Sequence, residues 1–230
     1  GHAYVIPGEK PGAGIIAATS ALEFGCGLST VCDKFSDFSK IKIPMDLMYS
    51  SEIPNNVSAI LLGSGFGRNQ QNIDAAWDFI KQFSCNDKCS FVFDADIFYY
   101  QKLPLLLEEL KNHQVILTPH PKELFHLLKL YDIKVDSVEE VIQNRFEFCK
   151  LFSEKNPNCV LVSKGAITYI CHQNQIFICD VGSVALAKAG SGDVLAGMCL
   201  SLLAQGYDCV SAAQTAVFAH GKAASKCETN

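Results

Sequence analysis

The sequence predicts an α/β protein built on a mostly parallel sheet with helices on both faces, and three observations predict it. Short apolar, β-rich runs recur at residues 3–6, 59–62, 90–93, 115–117 and 159–162. Segments with helical spacing separate most of them, at residues 14–24, 74–83, 122–130 and 138–152. The runs are apolar throughout rather than at alternate positions, which is the pattern of strands covered on both sides. One stretch breaks the rhythm. "ITYICHQNQIFICD", residues 167–180, reads as two strands around the polar turn His172-Gln173-Asn174, hence an antiparallel hairpin. Two helices follow, over roughly 194–204 and 209–223. With no long linker, low-complexity tract or internal repeat, a single domain over residues 1–230 is expected. The chain opens directly on a strand and stops in "KAASKCETN" soon after a helix. Outer elements missing at both ends, or separation from a longer polypeptide, are therefore expected.

The bulk numbers narrow the class. A hydrophobic content of 49% over 230 residues is enough to bury a substantial core. A formal charge of -5 and a pI near 5.7 argue against a nucleic-acid binder working through a basic face. No apolar run approaches the roughly eighteen residues of a membrane span, and nothing at the N-terminus resembles a signal peptide. The 11 cysteines are odd in number and scattered through apolar segments, which fits buried, reduced thiols in the cytoplasm. Cys85-Asn86-Asp87-Lys88-Cys89 has no second Cys/His pair at zinc spacing, so it reads as a turn with two free thiols. No metal ligands can be assigned.

In open parallel sheets, ligands bind at the carboxyl ends of the strands, and most of the unusual sequence falls there. After 59–62 comes "GSGFGRN" with Gly63, Gly65 and Gly67, which suits either a tight turn or a ligand's approach. After 90–93 come Asp94 and Asp96, two apart and on one side if the strand continues. They suit a magnesium-bound phosphate, a ribose hydroxyl or a helix cap. After 115–117 comes "TPHPKE", where Pro119 and Pro121 stiffen the chain around His120 and favour a ligand contact for its imidazole. Glu123 reads as a partner for the helix dipole, and His126 as ordinary surface or core. After 159–162 comes "SKGAIT": Lys164, Gly165 and Thr168 either meet a nucleotide or form a turn with a solvated lysine.

The last such segment is "KAGSGDVLAG". Gly190 and Gly192 let backbone amides turn toward an anion, and the helix that follows adds its positive end. Asp193 then sits beside a site built for negative charge. Either it completes the helix N-terminus, or it removes a proton from a hydroxyl about to receive a phosphoryl group. Ala196 and Gly197 behind it permit close packing or close ligand approach.

Taken in order, "PGAGIIAATSALEFGCGL", "LLGSGFGRN", "FDAD", "LTPHPKE", "SKGAIT", "GSVALAKAGSGDVLAG" and "LLAQG" resemble the NAD(P)H-hydrate dehydratases of the ribokinase-like superfamily, over nearly the whole chain. G-[ST]-G-D marks only the superfamily, whereas T-P-H-P with K-G-A-x-T narrows it to this family. The resemblance implies a ribokinase-like three-layer sandwich and a metabolite-repair lyase, which restores hydrated NADH or NADPH using ADP or ATP with Mg2+. It implies that Asp193 activates the ring hydroxyl and that Ala189, Gly190, Ser191 and Gly192 hold the transferring phosphate. Lys164, Gly165, Ala166, Ile167 and Thr168 would line the nucleotide side together with Gly192. Ala13, Gly65 and His120 would contact the hydrated dinucleotide along with Asp193. A fused or separate epimerase, a homo-oligomer and a cytoplasmic location are the associated expectations, with no nucleic-acid or membrane partner. The chain departs from the family pattern in its short "PGEKPGAG" loop, in Ser183 for asparagine and in Ser191 for threonine.

Three rivals follow from the same residues. A ribokinase-like kinase for a vitamin-precursor alcohol would share G-S-G-D but not T-P-H-P with K-G-A-x-T. A non-catalytic nucleotide sensor on this fold would lack the acid at 193. A Rossmann dehydrogenase would need G-x-G-x-x-G after the first strand, which the chain does not have.

Overall fold

Each apolar run read from the sequence is a strand of one sheet. The computed structural model describes residues 1–39, 41–82 and 89–227. Among these the strands are β1 (His2–Ile6), β2 (Leu28–Cys32), β3 (Met48–Ser50), β4 (Ala59–Leu62), β5 (Ser90–Phe93), β6 (Val115–Leu117), β7 (Cys159–Ser163), β8 (Thr168–His172) and β9 (Gln175–Cys179). Their spatial order is β3-β2-β1-β4-β5-β6-β7-β8-β9. Pairing is parallel from β3 through β7 and antiparallel for β7-β8 and β8-β9, so the expected hairpin is present. Its turn is confined to Gln173 and Asn174, since His172 pairs with Gln175.

The helices are α1 (Pro11–Glu23), α2 (Gln70–Gln82), α3 (Leu103–Glu109), α4 (Pro121–Leu130), α5 (Val138–Gln143), α6 (Arg145–Lys155), α7 (Ser191–Ala204) and α8 (Cys209–Cys227). Side chains alternate across a strand, and here the two faces differ in size. Tyr4, Ile60, Leu62, Phe91, Phe93 and Leu117 enter a cluster with α2 to α6. Ala3, Val5, Ala59, Val92, Ile116 and Val160 enter the other, with α1, α7 and α8. The smaller face lets α1 and α7 lie close to the sheet and to each other. Gly197 of α7 is the contact point: a Cβ there would run into the carbonyl of Ala17 and stand 2.9 Å from the Ser20 Cβ. The Ser20 hydroxyl also donates to the Val194 carbonyl at 2.9 Å. These contacts fix where α7 begins.

The structure corrects several boundaries. α1 begins at Pro11, not 14, because proline is favoured in a helix's first turn. The helix expected over 138–152 is two, α5 and α6, divided at Asn144. α2 begins at Gln70, α7 at Ser191, and α8 runs on to Cys227. Strands β2 and β3 and helix α3 went unread. In β2, Ser29 and Thr30 mask the apolar run but are buried with their hydroxyls bonded to the Ala18 carbonyl and to His2. Residue 83 and Cys85 lie outside the described residues, while Cys89 is buried.

Replacing Gly197 with alanine should destabilise the protein by about 2 kcal/mol through overpacking against α1. Urea unfolding checks this, and an unchanged midpoint would contradict the close approach described above.

Candidate active site

Because β1 and β4 to β7 are parallel, their carboxyl ends form one row, and the singled-out residues gather along it. The centre of the row is an ion pair. Lys164, just past β7, donates from Nζ to Asp94 Oδ1 at 2.8 Å, and the two side chains are 18% and 2% exposed. Asp94 is further held by the Thr118 hydroxyl at 2.7 Å and by Ser64 Oγ at 3.5 Å from Oδ2. Glu123 stands 4.0 Å from the same ammonium. Burial alone would lower the Lys164 pKa, but the carboxylates of Asp94, Glu123 and Asp193 together hold it above the ordinary lysine value. Lys164 is therefore a charged, buried group. The solvated-lysine reading does not hold.

The glycine-rich turn lies against this pair. Gly190 caps α7 with a φ of 90°, a left-handed conformation that glycine adopts without strain. Gly192 faces the lysine: a Cβ there would be 3.3 Å from Lys164 Nζ. Among the described residues, the amides of Gly192 and Asp193 have no hydrogen-bond partner. Two free N–H groups at a helix N-terminus beside an ammonium favour an anion. The Ser191 hydroxyl is turned away from them, donating to the Leu186 carbonyl at 2.6 Å.

Asp193 occupies the first turn of α7, beside the helix's positive end, as the helix-terminus reading required. Its carboxyl also belongs to the cluster. Burial, and then the negative charge of Asp94, push its pKa up to about 6, against the pull of Ser64 and Lys164. A carboxyl poised near 6 accepts a proton at neutral pH more readily than an ordinary aspartate does.

On the other side of the row, the loop after β1 joins the loop after β4. The amides of Glu9 and Lys10 donate to the carbonyls of Phe66 and Gly65 at 3.2 and 2.8 Å. Gly65 has a φ of 63°, and a Cβ on it would lie 2.9 Å from the Ala13 side chain. Ala13 and Gly65 are thus neighbours. His120 caps α4. Its Nδ1 accepts from the amides of Lys122 and Glu123 at 3.1 and 3.3 Å. That places the proton of the neutral ring on Nε2, 3.0 Å from Glu123 Oε1. The frame predicted from the two prolines serves a capping box. The ring remains 45% exposed, so its free face is what it can offer a ligand.

Two expectations fail here. Asp94 and Asp96 do not share a side, because the strand ends at Phe93 and Ala95 turns with a φ of 52°. Asp96 instead accepts from the Gly67 amide at 2.9 Å and pairs with Arg68. Glu123 is more than a dipole partner, since it is buried and faces Lys164. Reasoning from the sequence missed Ser64, Thr118 and Arg145 altogether. The spacing of His120 and Glu123 fits a capping box and could have revealed that pair, but Arg145 carries no local signal. His126, half-buried, packs 4.3 Å from the Tyr99 ring, as an ordinary residue.

The donor set does not fit a metal held directly by the protein. The Asp94 and Asp96 carboxylates are committed to protein donors, and no metal-binding group of three His, Cys, Asp or Glu exists among the described residues.

The raised pKa of Asp193 has a consequence for stability. Between its ordinary value of 3.8 and about 6 the folded state binds this proton more tightly than the unfolded chain. Asp193 therefore costs stability above about pH 6, and that cost vanishes below about pH 4. Asp193→Asn should stabilise the protein by on the order of 1 kcal/mol at pH 8, allowing for solvent screening, with no gain at acid pH. Urea unfolding at both pH values checks the sign.

Comparison with known proteins gives the context. The bifunctional NAD(P)H-hydrate repair enzyme of Helicobacter pylori is 44% identical over 230 residues, covering 100% of this chain and 46% of that enzyme. The chain thus spans about half the length of the curated relatives of this kind. The ADP-dependent (S)-NAD(P)H-hydrate dehydratase of Bacillus subtilis is 26% identical, over 94% of this chain and 76% of that protein. The crystal structure of the ADP/ATP-dependent NAD(P)H-hydrate dehydratase from Bacillus subtilis, co-crystallised with ATP and Mg2+, superposes with a TM-score of 0.74. Identity there is 25%, with 96% of this chain and 79% of that one covered. A ribokinase-like superfamily protein from Enterococcus faecalis shares the fold, with a TM-score of 0.72 at 21% identity and 96% and 77% coverage. The model of the family described as NAD(P)H-hydrate dehydratase matches residues 3–230, and the chain belongs to that family.

Proposed function

We propose that this chain dehydrates hydrated NADH and NADPH at the expense of a nucleotide. The observation that carries the reading is Asp193, a carboxyl with a pKa of about 6 beside free helix amides and the buried Lys164 ammonium. Hydroxide leaves carbon poorly, whereas a phosphate ester departs as an anion whose second pKa is about 6. Asp193 takes the proton of the ring hydroxyl as that oxygen attacks the terminal phosphoryl group of the nucleotide. The nucleotide departs one phosphate shorter. The lone pair of the ring nitrogen then expels the phosphate, a proton leaves the neighbouring carbon, and the ring double bond returns.

In this reading the turn of Ala189, Gly190, Ser191 and Gly192 holds the transferring phosphate, with the free amides of Gly192 and of Asp193 just after it. Lys164 offsets its charge from the side of Asp94. Lys164, Gly165, Ala166, Ile167 and Thr168 border the nucleotide with Gly192, while Ala13, Gly65 and the exposed face of His120 border the dinucleotide. The names of the relatives favour ADP as donor, with ATP as an alternative. Mg2+ would arrive on the nucleotide's phosphates and neutralise them. Cys26, Cys32, Cys149, Cys159, Cys171 and Cys199 are buried thiols, which supports a reducing, cytoplasmic setting. No helix among the described residues is long and apolar enough to cross a membrane. An epimerase that interconverts the hydrate's two forms, fused or separate, is the partner activity, and a homo-oligomer fits the same reading.

The test is incubation with hydrated NADH, Mg2+ and either ADP or ATP, following recovery of the reduced-nicotinamide absorbance and release of inorganic phosphate. Recovery should require a nucleotide, and Asp193→Asn should slow it by about 10²- to 10⁴-fold. A stable phosphorylated product without recovered absorbance would mean a kinase instead.

A further inference from the structure

The 164–167 turn has a clamp that the proposed reaction does not account for. Arg145 is the first residue of α6, placed there by the break at Asn144. Its guanidinium reaches both ends of the turn: Nη1 donates to the Lys164 carbonyl at 2.8 Å and Nη2 to the Ile167 carbonyl. The group also lies 4.8 Å from the centre of the Tyr169 ring, on the strand that leaves the turn. A Cβ on Gly165 would run into Nη1, so glycine and guanidinium are fitted to each other.

The geometry has a direct consequence for the amides. A carbonyl and the following N–H share one trans peptide plane and point in opposite directions. By holding the Lys164 carbonyl, Arg145 aims the Gly165 amide away from itself. Gly165, Ala166 and Ile167 are exposed, and among the described residues their amides have no hydrogen-bond partner. We propose that Arg145 is a positioning residue for the nucleotide, fixing the turn so that these free amides and the Lys164 ammonium present one pre-formed surface to it. The inference rests on the reading that this turn borders the nucleotide. Pre-forming the surface spares the ordering cost that a loose loop would meet on binding. Lysine could not replace arginine, since a point charge cannot bridge two carbonyls as the planar fork does.

The test compares wild type with Arg145→Lys and Arg145→Ala, by calorimetric titration with ADP and ATP and by steady-state kinetics for each substrate. Both variants should raise the nucleotide Kd and KM by about tenfold or more. The KM for hydrated NADH, and kcat at saturating nucleotide, should stay within about twofold. Millimolar guanidinium should partly restore nucleotide affinity to Arg145→Ala. Arg145→Lys keeps the charge over Tyr169, so it separates the clamp from simple loss of folding. Unchanged nucleotide affinity in a folded Arg145→Lys, or equal losses for both substrates, would overturn the proposal. Failure of folded wild type to bind either nucleotide would instead overturn the reading of the turn, and the clamp with it.

Discussion

The contact between the Lys164 ammonium and the Asp94 carboxylate, at 2.8 Å, is the one on which the rest of the site depends. It ties the end of β7 to the end of β5 across β6, and Thr118 at the end of β6 fills the gap by donating to the same carboxylate oxygen. Three carboxyls, from Asp94, Glu123 and Asp193, act on this single cation. Their partners differ. Asp94 has the ion pair and two hydroxyl donors, and Glu123 has the His120 amide and ring. Burial first, and then the charge of Asp94, push the Asp193 carboxyl up to about 6, against the pull of Ser64 and Lys164. A pair of this kind adds little net stability, because desolvation offsets the attraction. What it provides is a fixed, buried cation beside Asp193 and the start of α7.

The position of Asp193 is a matter of packing. Asp193 stands at the start of α7, and α7 is seated by small residues on the Ala3, Ala59 and Val92 face of the sheet and by Gly197 against α1. Larger residues there would lift the helix and carry its N-terminus away from Lys164. The opposite face, with Phe91 and Phe93, supports α4, which brings Glu123, and α6, which brings Arg145. Each layer thus delivers one part of the site to the same edge.

The sheet was largely legible because buried parallel strands are apolar on both faces. The hairpin was legible because its turn is polar. β2 escaped because its Ser29 and Thr30 are buried through bonds to Ala18 and His2 that no local pattern announces. The division of α5 from α6 escaped because Asn144 is a mild interruption, neither proline nor glycine. At the site, glycine spacing and the acid at 193 pointed to loops that the fold gathers at the carboxyl ends of the parallel strands. Which acid would pair with Lys164 was not legible, because Asp94 and Asp96 differ only by the positive φ of Ala95 between them. Arg145 lies 19 residues from the carbonyl it holds and reaches it only through the fold.

The central claim is that burial and the neighbouring Asp94 charge make Asp193 a weaker acid than an ordinary aspartate. The most direct measurement is a ¹³C NMR titration of the aspartate carboxyl carbons, with Asp193→Asn supplying the assignment. The Asp193 carbon should titrate near pH 6. An Asp193 midpoint close to the ordinary 3.8 would contradict it.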